Sequence, residues 1–521
     1  MKQDAIIVGS GVNALVAAVH LLSKGWTVAV YEAAPVPGGA VKSGEYIEPG
    51  YRHDWAAMNL SLFAGSPFHQ KYSEELAECG LEFAPAEHCF ASVFPDGTWL
   101  GISNDAAVNA ARIAKFSQND ADTWRDLTDD FGKQADAIFA ILGSPMGVGG
   151  LGKLFWSLVR KLKSAGLSDL GRFLMTSPRS WLDETFENEK VKAMLAAWGM
   201  HLDFAPDTAG GALFPYLEGM ANQAFGMALG KGGAQSLTDS LVALIERKGG
   251  QVVCNAKVVE ILTEKRRAHS ILLESGEAVQ AKKAVIANLA PSGLARLTGE
   301  TGDEKFDEKI AKYEHAPGTM MIHLALDGPL EWSAGKELQS FAYVHIAPSL
   351  DQMAKTYTQA KANLLPDEPV IVVGQPTAID PSRAPDGRHI LWLQVRMVPG
   401  TIQGDAAGVI KATDWEIAKI EMAERAFDLI EAHAPGLRVK TISSRVVGPN
   451  ELEADNANLV GGDQVCGSHH LSQHFLFRPM RGHADGSTPI KNLYLTGAAV
   501  WPGAGTGAGA GFLLAQKLAG K

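Results

Sequence analysis

Asp4-Ala-Ile-Ile-Val-Gly-Ser-Gly-Val-Asn-Ala14 opens the chain with an apolar run that breaks at glycines and continues as a helical pattern to Ser23. This reads as strand, tight turn and helix. Gly9 permits the turn, Gly11 lets the backbone approach a pyrophosphate, and small Ala14 allows the helix to pack closely on the strand. The helix start at Val12 and Asn13 presents free amides and partial positive charge to phosphate. Gly25 closes the helix, Thr27 to Tyr31 forms a second strand, and Glu32 follows about twenty residues past the glycines, where a carboxylate accepts hydrogen bonds from a ribose. The segment predicts a dinucleotide cradle.

Working outward, Pro37-Gly38-Gly39-Ala40 comes shortly after Glu32. A Gly-Gly pair at this place resembles families that bind FAD in the glutathione-reductase manner, which implies FAD rather than NAD beside Gly38, Gly39 and Ala40. At the far end, Lys491 to Gly497 reads as a strand, followed by a glycine-rich run to Gly511 and an apolar helix over Phe512 to Leu518. Clustered glycines before a helix again offer unobstructed N–H donors to a pyrophosphate or to a flavin edge. Gly497, Gly505, Thr506 and Ala508 are the candidates here.

This terminal segment is similar to the end of phytoene-desaturase-like and carotenoid-isomerase-like flavoproteins of the amine-oxidase superfamily, within a branch named after pyridine nucleotide-disulfide oxidoreductases. The resemblance rests on Gly461-Gly462-Asp463, on Gln473 to Pro479, on Thr488-Pro489-Ile490, on Leu493 to Gly497 and on Pro502-Gly503-Ala504-Gly505. It also covers Gly232-Gly233-Ala234-Gln235-Ser236-Leu237 with the helix to Lys248 and the strand around Val258. It implies backbone contacts from Val258 to the adenine. Two departures narrow the activity. Val36 and Ala40 stand where many amine oxidases carry arginines, which argues against amine oxidation. No Cys-x-x-Cys pair and no second complete glycine motif for NADPH is present, which argues against disulfide reduction.

Composition excludes other classes. With 47 Lys+Arg against 58 Asp+Glu, the formal charge of -11 repels a phosphate backbone, so nucleic acid is not an expected partner. The four cysteines Cys79, Cys89, Cys254 and Cys466 suit neither a zinc ribbon nor a disulfide framework, and a reduced, cytoplasmic location is expected. His469 and His470 lack a third ligand at recognisable spacing, so no metal is expected. Ala137 to Gly152 and Asn492 to Gln516 lack charges, but the first is too short for a span of about 20 residues. The second is interrupted by Pro502 and glycines and cannot stay helical in lipid.

The fold class expected is α/β, a glutathione-reductase-type Rossmann-like FAD domain with an α+β substrate domain inserted. The FAD domain would draw on residues 1–70, 225–300 and 440–521, and the substrate domain on 71–224 and 301–439. Met320 to Leu326, Val370 to Gly374 and His389 to Met397 read as strands, and Asp122 to Ile141 and Glu416 to His433 as helices. Leu151, Leu154, Phe155, Leu158 and Leu162 lie at helical spacing among Lys153, Arg160, Lys161 and Lys163. Such a helix either packs its apolar side on the core, or lies on an anionic membrane surface or guards a lipophilic entrance.

A flavin accepts hydride at N5, so the protein supplies orientation and electrostatics and, for desaturation, a proton acceptor. His53 and Asp54, after the first Gly-Gly segment, and His474 and Arg478, before the last strand, are the candidate catalytic residues; relatives line the flavin pocket with the latter segment. Cys466 sits in a context unlike that of covalent flavoproteins, so non-covalent FAD is expected. The expected substrate is a hydrophobic or alicyclic small molecule, with oxygen or a quinone-like acceptor reoxidising the flavin. The resemblance also admits a redox-neutral isomerase using reduced FAD. A binding protein without catalysis, like the Rab GDP-dissociation inhibitors, is a third possibility, against which Glu32 and both glycine-rich loops speak.

Overall fold

The computed structural model describes residues 2–505 and 507–521, apart from the side chains at 148 and 162–165. Thr506, a candidate above, lies outside the described residues, as do the side chains of Leu162 and Lys163. The fold is the α/β class read from the sequence, built around two seven-stranded sheets.

The first sheet gathers strands from both ends and the middle of the chain. We label its strands β1 (Gln3–Val8), β2 (Val28–Tyr31), β3 (Gln251–Val253), β4 (Val258–Glu264), β5 (Arg267–Leu273), β6 (Ala278–Asn288) and β7 (Leu493–Thr496). Strands β3, β2, β1, β6 and β7 run parallel in that order, β5 pairs antiparallel with the start of β6, and β4 pairs antiparallel with β5 at the edge. Ala5 to Val8 are all buried, as expected of a parallel strand covered on both faces.

Helix α1 (Val12–Ser23) is buried from Val12 to Leu22 because α2 (Gln235–Arg247) and α3 (Gly509–Ala519) pack against it. Its apolar character all round matches a helix enclosed on all sides. Gly511 makes the contact with α3 possible: a Cβ there would lie 1.9 Å from the Asn13 carbonyl oxygen.

The second sheet orders Thr441–Val447, Gly318–Leu326, His389–Val398, Val370–Gly374, Tyr343–Ile346, His88–Val93 and Trp99–Ser103. All neighbours are antiparallel except Tyr343–Ile346 with His88–Val93. The sequence division at residue 440 is corrected by this sheet. Thr441–Val447 pairs along Gly318–Leu326, so it is an edge strand of the second sheet and not part of the dinucleotide unit.

The basic-apolar segment lies on the helix Val148–Met175, which packs part of its apolar side inward. Leu158 is buried with Ala137, Ile141 and Trp501, and Leu151 and Leu154 pack against that cluster. Phe155 and Trp156 remain exposed on its outer side. Among the described residues no helix is long and apolar enough to cross a membrane.

Candidate functional site

The registers bring the carboxyl ends of four parallel strands to one edge: Val8 pairs with Tyr31 and with Ala287, and Asn288 with Thr496. Ligands of open α/β sheets bind in the crevice outside such ends. Here that crevice opens into a single cavity of about 1940 Å³.

At its outer end lie Gly9, Gly11, Val12 and Asn13 of the first turn. The first bonds of α1 run from Ala14 and Leu15 to the Gly11 carbonyl, at 2.8 and 3.1 Å, and no side chain caps the helix. The preceding amides therefore stand at an open helix end whose partial positive charge suits an anion. Ala14 itself is fully buried against the core and does not line the cavity; its place is in helix packing.

Glu32 is held in position by its own turn. The Ser10 amide and hydroxyl both donate to Oε2 at 2.7 Å, and the Ala34 amide donates to Oε1 at 2.8 Å. A carboxylate accepts about four hydrogen bonds, so acceptor capacity remains toward the cavity it lines.

Gly38, Gly39 and Ala40 line the same space. The Gly38 amide donates to the Ser10 carbonyl at 3.2 Å, drawing the second glycine turn against the first. Its φ is +118°, and a Cβ would lie 2.4 Å from the Val41 carbonyl oxygen, so no side chain fits.

Val258 faces the cavity from the middle of the chain, and Gly497, Gly505 and Ala508 face it from the end. The two glycine-lined turns thus meet at one cavity, although nearly five hundred residues separate them. Asn288 lies between them and lines it too. Its Oδ1 is buried without a hydrogen-bond partner among the described residues, although a buried polar atom normally has one. An orphan acceptor, an open helix end, an oriented carboxylate and a side-chain-free turn together fit a dinucleotide.

The inner end is formed by the second sheet and its neighbours. Tyr343, Trp392, Gln394 and Arg396 line it from the strands, Trp198 and His201 from a short turn, and Leu217, Glu218 and Phe225 from the helix Leu213–Phe225. Trp198 stacks on His201 at 4.5 Å between ring centroids. His201 Nε2 is 2.8 Å from His345 Nε2, and burial holds both imidazoles neutral, His345 pushed down to about 3. Burial acts oppositely on Glu218, whose carboxyl is pushed up to about 7 with one hydrogen bond, from Asn222 Nδ2 at 3.1 Å. It lies where a carboxyl group exchanges protons near neutral pH.

None of the four candidate catalytic residues lines the cavity. Asp54 accepts from the Ser43 hydroxyl, the Ala234 amide and Arg383, with both members of the Asp54–Arg383 pair fully buried. Its carboxylate ties the hairpin Ser43–Gly44/His53–Asp54 to the start of α2. His53 is enclosed beside His323 with neither ring nitrogen hydrogen-bonded among the described residues, and burial pushes it down to about 3. His474 lies behind the wall against His469 and Trp501. Arg478 is fully buried and donates to the carbonyls of Val465, Cys466, Gly467, Ser468 and Ala498. It shapes the loop that carries Val465, Cys466 and His469 to the cavity, and is a positioning residue.

Sequence reasoning missed Arg396, Gln394, His201 and Glu218. Two of them carried a signal: Trp392, Gln394 and Arg396 alternate along an otherwise apolar strand, and alternation sends all three to one face. His469, set aside as a metal ligand, lines the cavity and accepts the Ala504 amide at 3.2 Å. Among the described residues no cluster of three His, Cys, Asp or Glu side chains could hold a metal ion.

The model of one protein family, flavin containing amine oxidoreductase, matches residues 15–426. Among relatives, pyridine nucleotide-disulfide oxidoreductase domain-containing protein 2 of Rattus norvegicus is 27% identical, covering 98% of this chain and 92% of its own length. The neurosporene-forming phytoene desaturase of Cereibacter sphaeroides is 23% identical over 96% of this chain and 91% of its own. A solved oxidoreductase from Methanosarcina mazei shares the fold at a TM-score of 0.62 and 17% identity, over 99% of this chain and 100% of the other.

Proposed function

The chain belongs to the flavin containing amine oxidoreductase family and is an FAD-dependent oxidoreductase, and from that premise we propose that it removes a hydride from a carbon of a hydrophobic or alicyclic substrate. The observation that carries this reading is the continuity of one cavity from the glycine cradle to the wall formed by Trp198, Tyr343 and Trp392. When bound, the flavin supplies a ring that accepts hydride and later passes the electrons to oxygen or a quinone-like acceptor.

The chain's own residues divide the remaining work. In this reading Glu32 accepts the ribose hydroxyls, the start of α1 and the turn at Gly505 bind pyrophosphate and flavin edge, and Val258 meets the adenine. The aromatic wall excludes water and orients an apolar skeleton. Glu218, poised near 7, is the group suited to take up a proton there, and His201, held neutral and backed by His345, is a polar neighbour that orients the substrate. FAD is held without a covalent bond in this proposal: burial pushes the thiol of Cys466, which lines the cavity, up to about 12, so it offers no thiolate.

Anaerobic bleaching of the flavin, followed against polyenes, cyclic ketones, amines and alcohols, tests the reading. A hydrophobic carbon compound that bleaches the flavin and loses two hydrogens supports it. A product of unchanged mass, formed only with pre-reduced flavin, replaces it with isomerisation.

A further inference from the structure

Arg396 lies in the strand His389–Val398, is 4% exposed and lines the inner end of the cavity. Its Nε–H donates to the Met200 carbonyl at 3.1 Å, and Nη1 donates to Thr319 Oγ1 at 2.9 Å and to Gln464 Oε1 at 3.4 Å. Nη2 donates to the His201 carbonyl. A guanidinium has five N–H groups, so one on Nη2 has no acceptor among the described residues. All four partners are neutral.

That arrangement is unusual for a buried charge, which is normally paired. The contrast within this molecule is Arg383, equally buried and held between Asp54 and Asp380. Among the described residues no carboxylate forms an ion pair with Arg396. The acidic groups that influence it, Asp463 and Asp203, are engaged elsewhere. Asp463 accepts the Ala316, Val465 and Gly467 amides, and Asp203 accepts Ser468 and Tyr357 hydroxyls. Burial lowers Arg396 to about 10, which still leaves it charged at neutral pH. Gln464 Oε1 also accepts from Gln394 Nε2 at 2.7 Å, so this acceptor is shared and adds no charge to offset the guanidinium.

We propose that Arg396 is the binding site for a carboxylate on the substrate, so that the substrate class is an amphiphilic organic acid whose apolar body lies along the aromatic wall. The inference rests on the reading of the inner cavity as a substrate chamber, and it narrows that reading. A carboxylate would take the Nη2–H that has no acceptor among the described residues and neutralise the guanidinium. The geometry also sets the selectivity: a charge-assisted hydrogen bond in a water-poor site favours the acid over an isosteric neutral head by about ten- to a hundred-fold.

The test uses the flavin-loaded protein and three probes with one tail: octanoate, 1-octanol and octylamine. Affinities are read by calorimetry and by perturbation of the flavin absorbance, neither of which needs turnover. Octanoate is expected to bind at least tenfold more tightly than octanol, and Arg396→Met to abolish that preference while leaving octanol unchanged. Equal or tighter binding of octanol or octylamine by the unsubstituted protein overturns the proposal, whatever the variants do. So does undiminished octanoate binding in Arg396→Met. Should that variant lose its flavin, Arg396→Lys replaces it, with octanoate weakened several-fold and octanol unaffected; an unchanged octanoate affinity there is again fatal. A protein that is bleached by a substrate of the earlier panel but ignores octanoate loses this inference and keeps the redox reading. A colourless protein that binds octanoate through Arg396 loses the redox reading alone.

Discussion

At the scale of single residues, the site separates groups that hold the frame from groups that face the ligand. Asp54 belongs to the first kind, because its carboxylate neutralises a guanidinium that is itself fully buried. Replacing Asp54 with Asn leaves Arg383 charged beside a neutral amide, with only Asp380 to offset it at 3.4 Å. Breaking such a pair costs on the order of 3 kcal/mol. Asp54→Asn is therefore expected to lower the thermal midpoint clearly; an unchanged midpoint with slowed flavin reduction would instead return Asp54 to a catalytic role. What was legible in the sequence at this scale was local. Gly11, Glu32 and Gly38 lie close together in the chain, and their spacing betrays them; that Ser10 holds Glu32 is shown only by the structure. Arg396 and His201 are brought together by a chain reversal of almost two hundred residues, and no local pattern records which side of the strand meets which turn. His53 and Asp54 were chosen for proximity to the glycines, but the hairpin turns both inward.

At the scale of elements, the closest constraint is the contact of α3 on α1. The Gly511 amide donates to Asn13 Oδ1 at 3.0 Å, so the last helix is keyed to the start of the first. A valine at Gly511 has to displace backbone atoms, and overpacking of this kind costs roughly 1–3 kcal/mol. Gly511→Val is expected to melt earlier and to bind FAD more weakly, since α1 and α3 both border the cradle. Gly152→Ala, on an open helix face with nothing within 4 Å, is the control and should change neither. Elements with a strong period were readable: α1, the strand Val370–Gly374 and the helix Trp415–His433 lie where the apolar pattern puts them. The edge strand Thr441–Val447 was not assigned to its sheet, because its exposed face gives it a weak pattern and only its partner Gly318–Leu326 defines its place.

At the scale of the whole molecule, one cavity and its surrounding histidines share a cost. His53, His345 and His474 are each pushed by burial from 6.5 down to about 3. The folded chain therefore binds fewer protons than the unfolded one between these values, and stability falls as the pH drops from about 6.5 toward 3. Urea unfolding at pH 7 and pH 5 is expected to show a lower midpoint at pH 5; equal midpoints would mean that these rings are not neutral in the native state. The cavity itself was only partly foreseeable. Its outer end is written in two glycine motifs, whereas its inner end is assembled from a turn, a helix and a second sheet that no motif links.

The central claim, that both ends of the chain close around one non-covalently held FAD, is tested most directly by acid precipitation of the purified protein and quantification of the flavin released. The account predicts about one FAD per chain in the supernatant and a colourless pellet. A preparation without flavin that takes up none on incubation with FAD, or a yellow pellet retaining the flavin on the polypeptide, would contradict it.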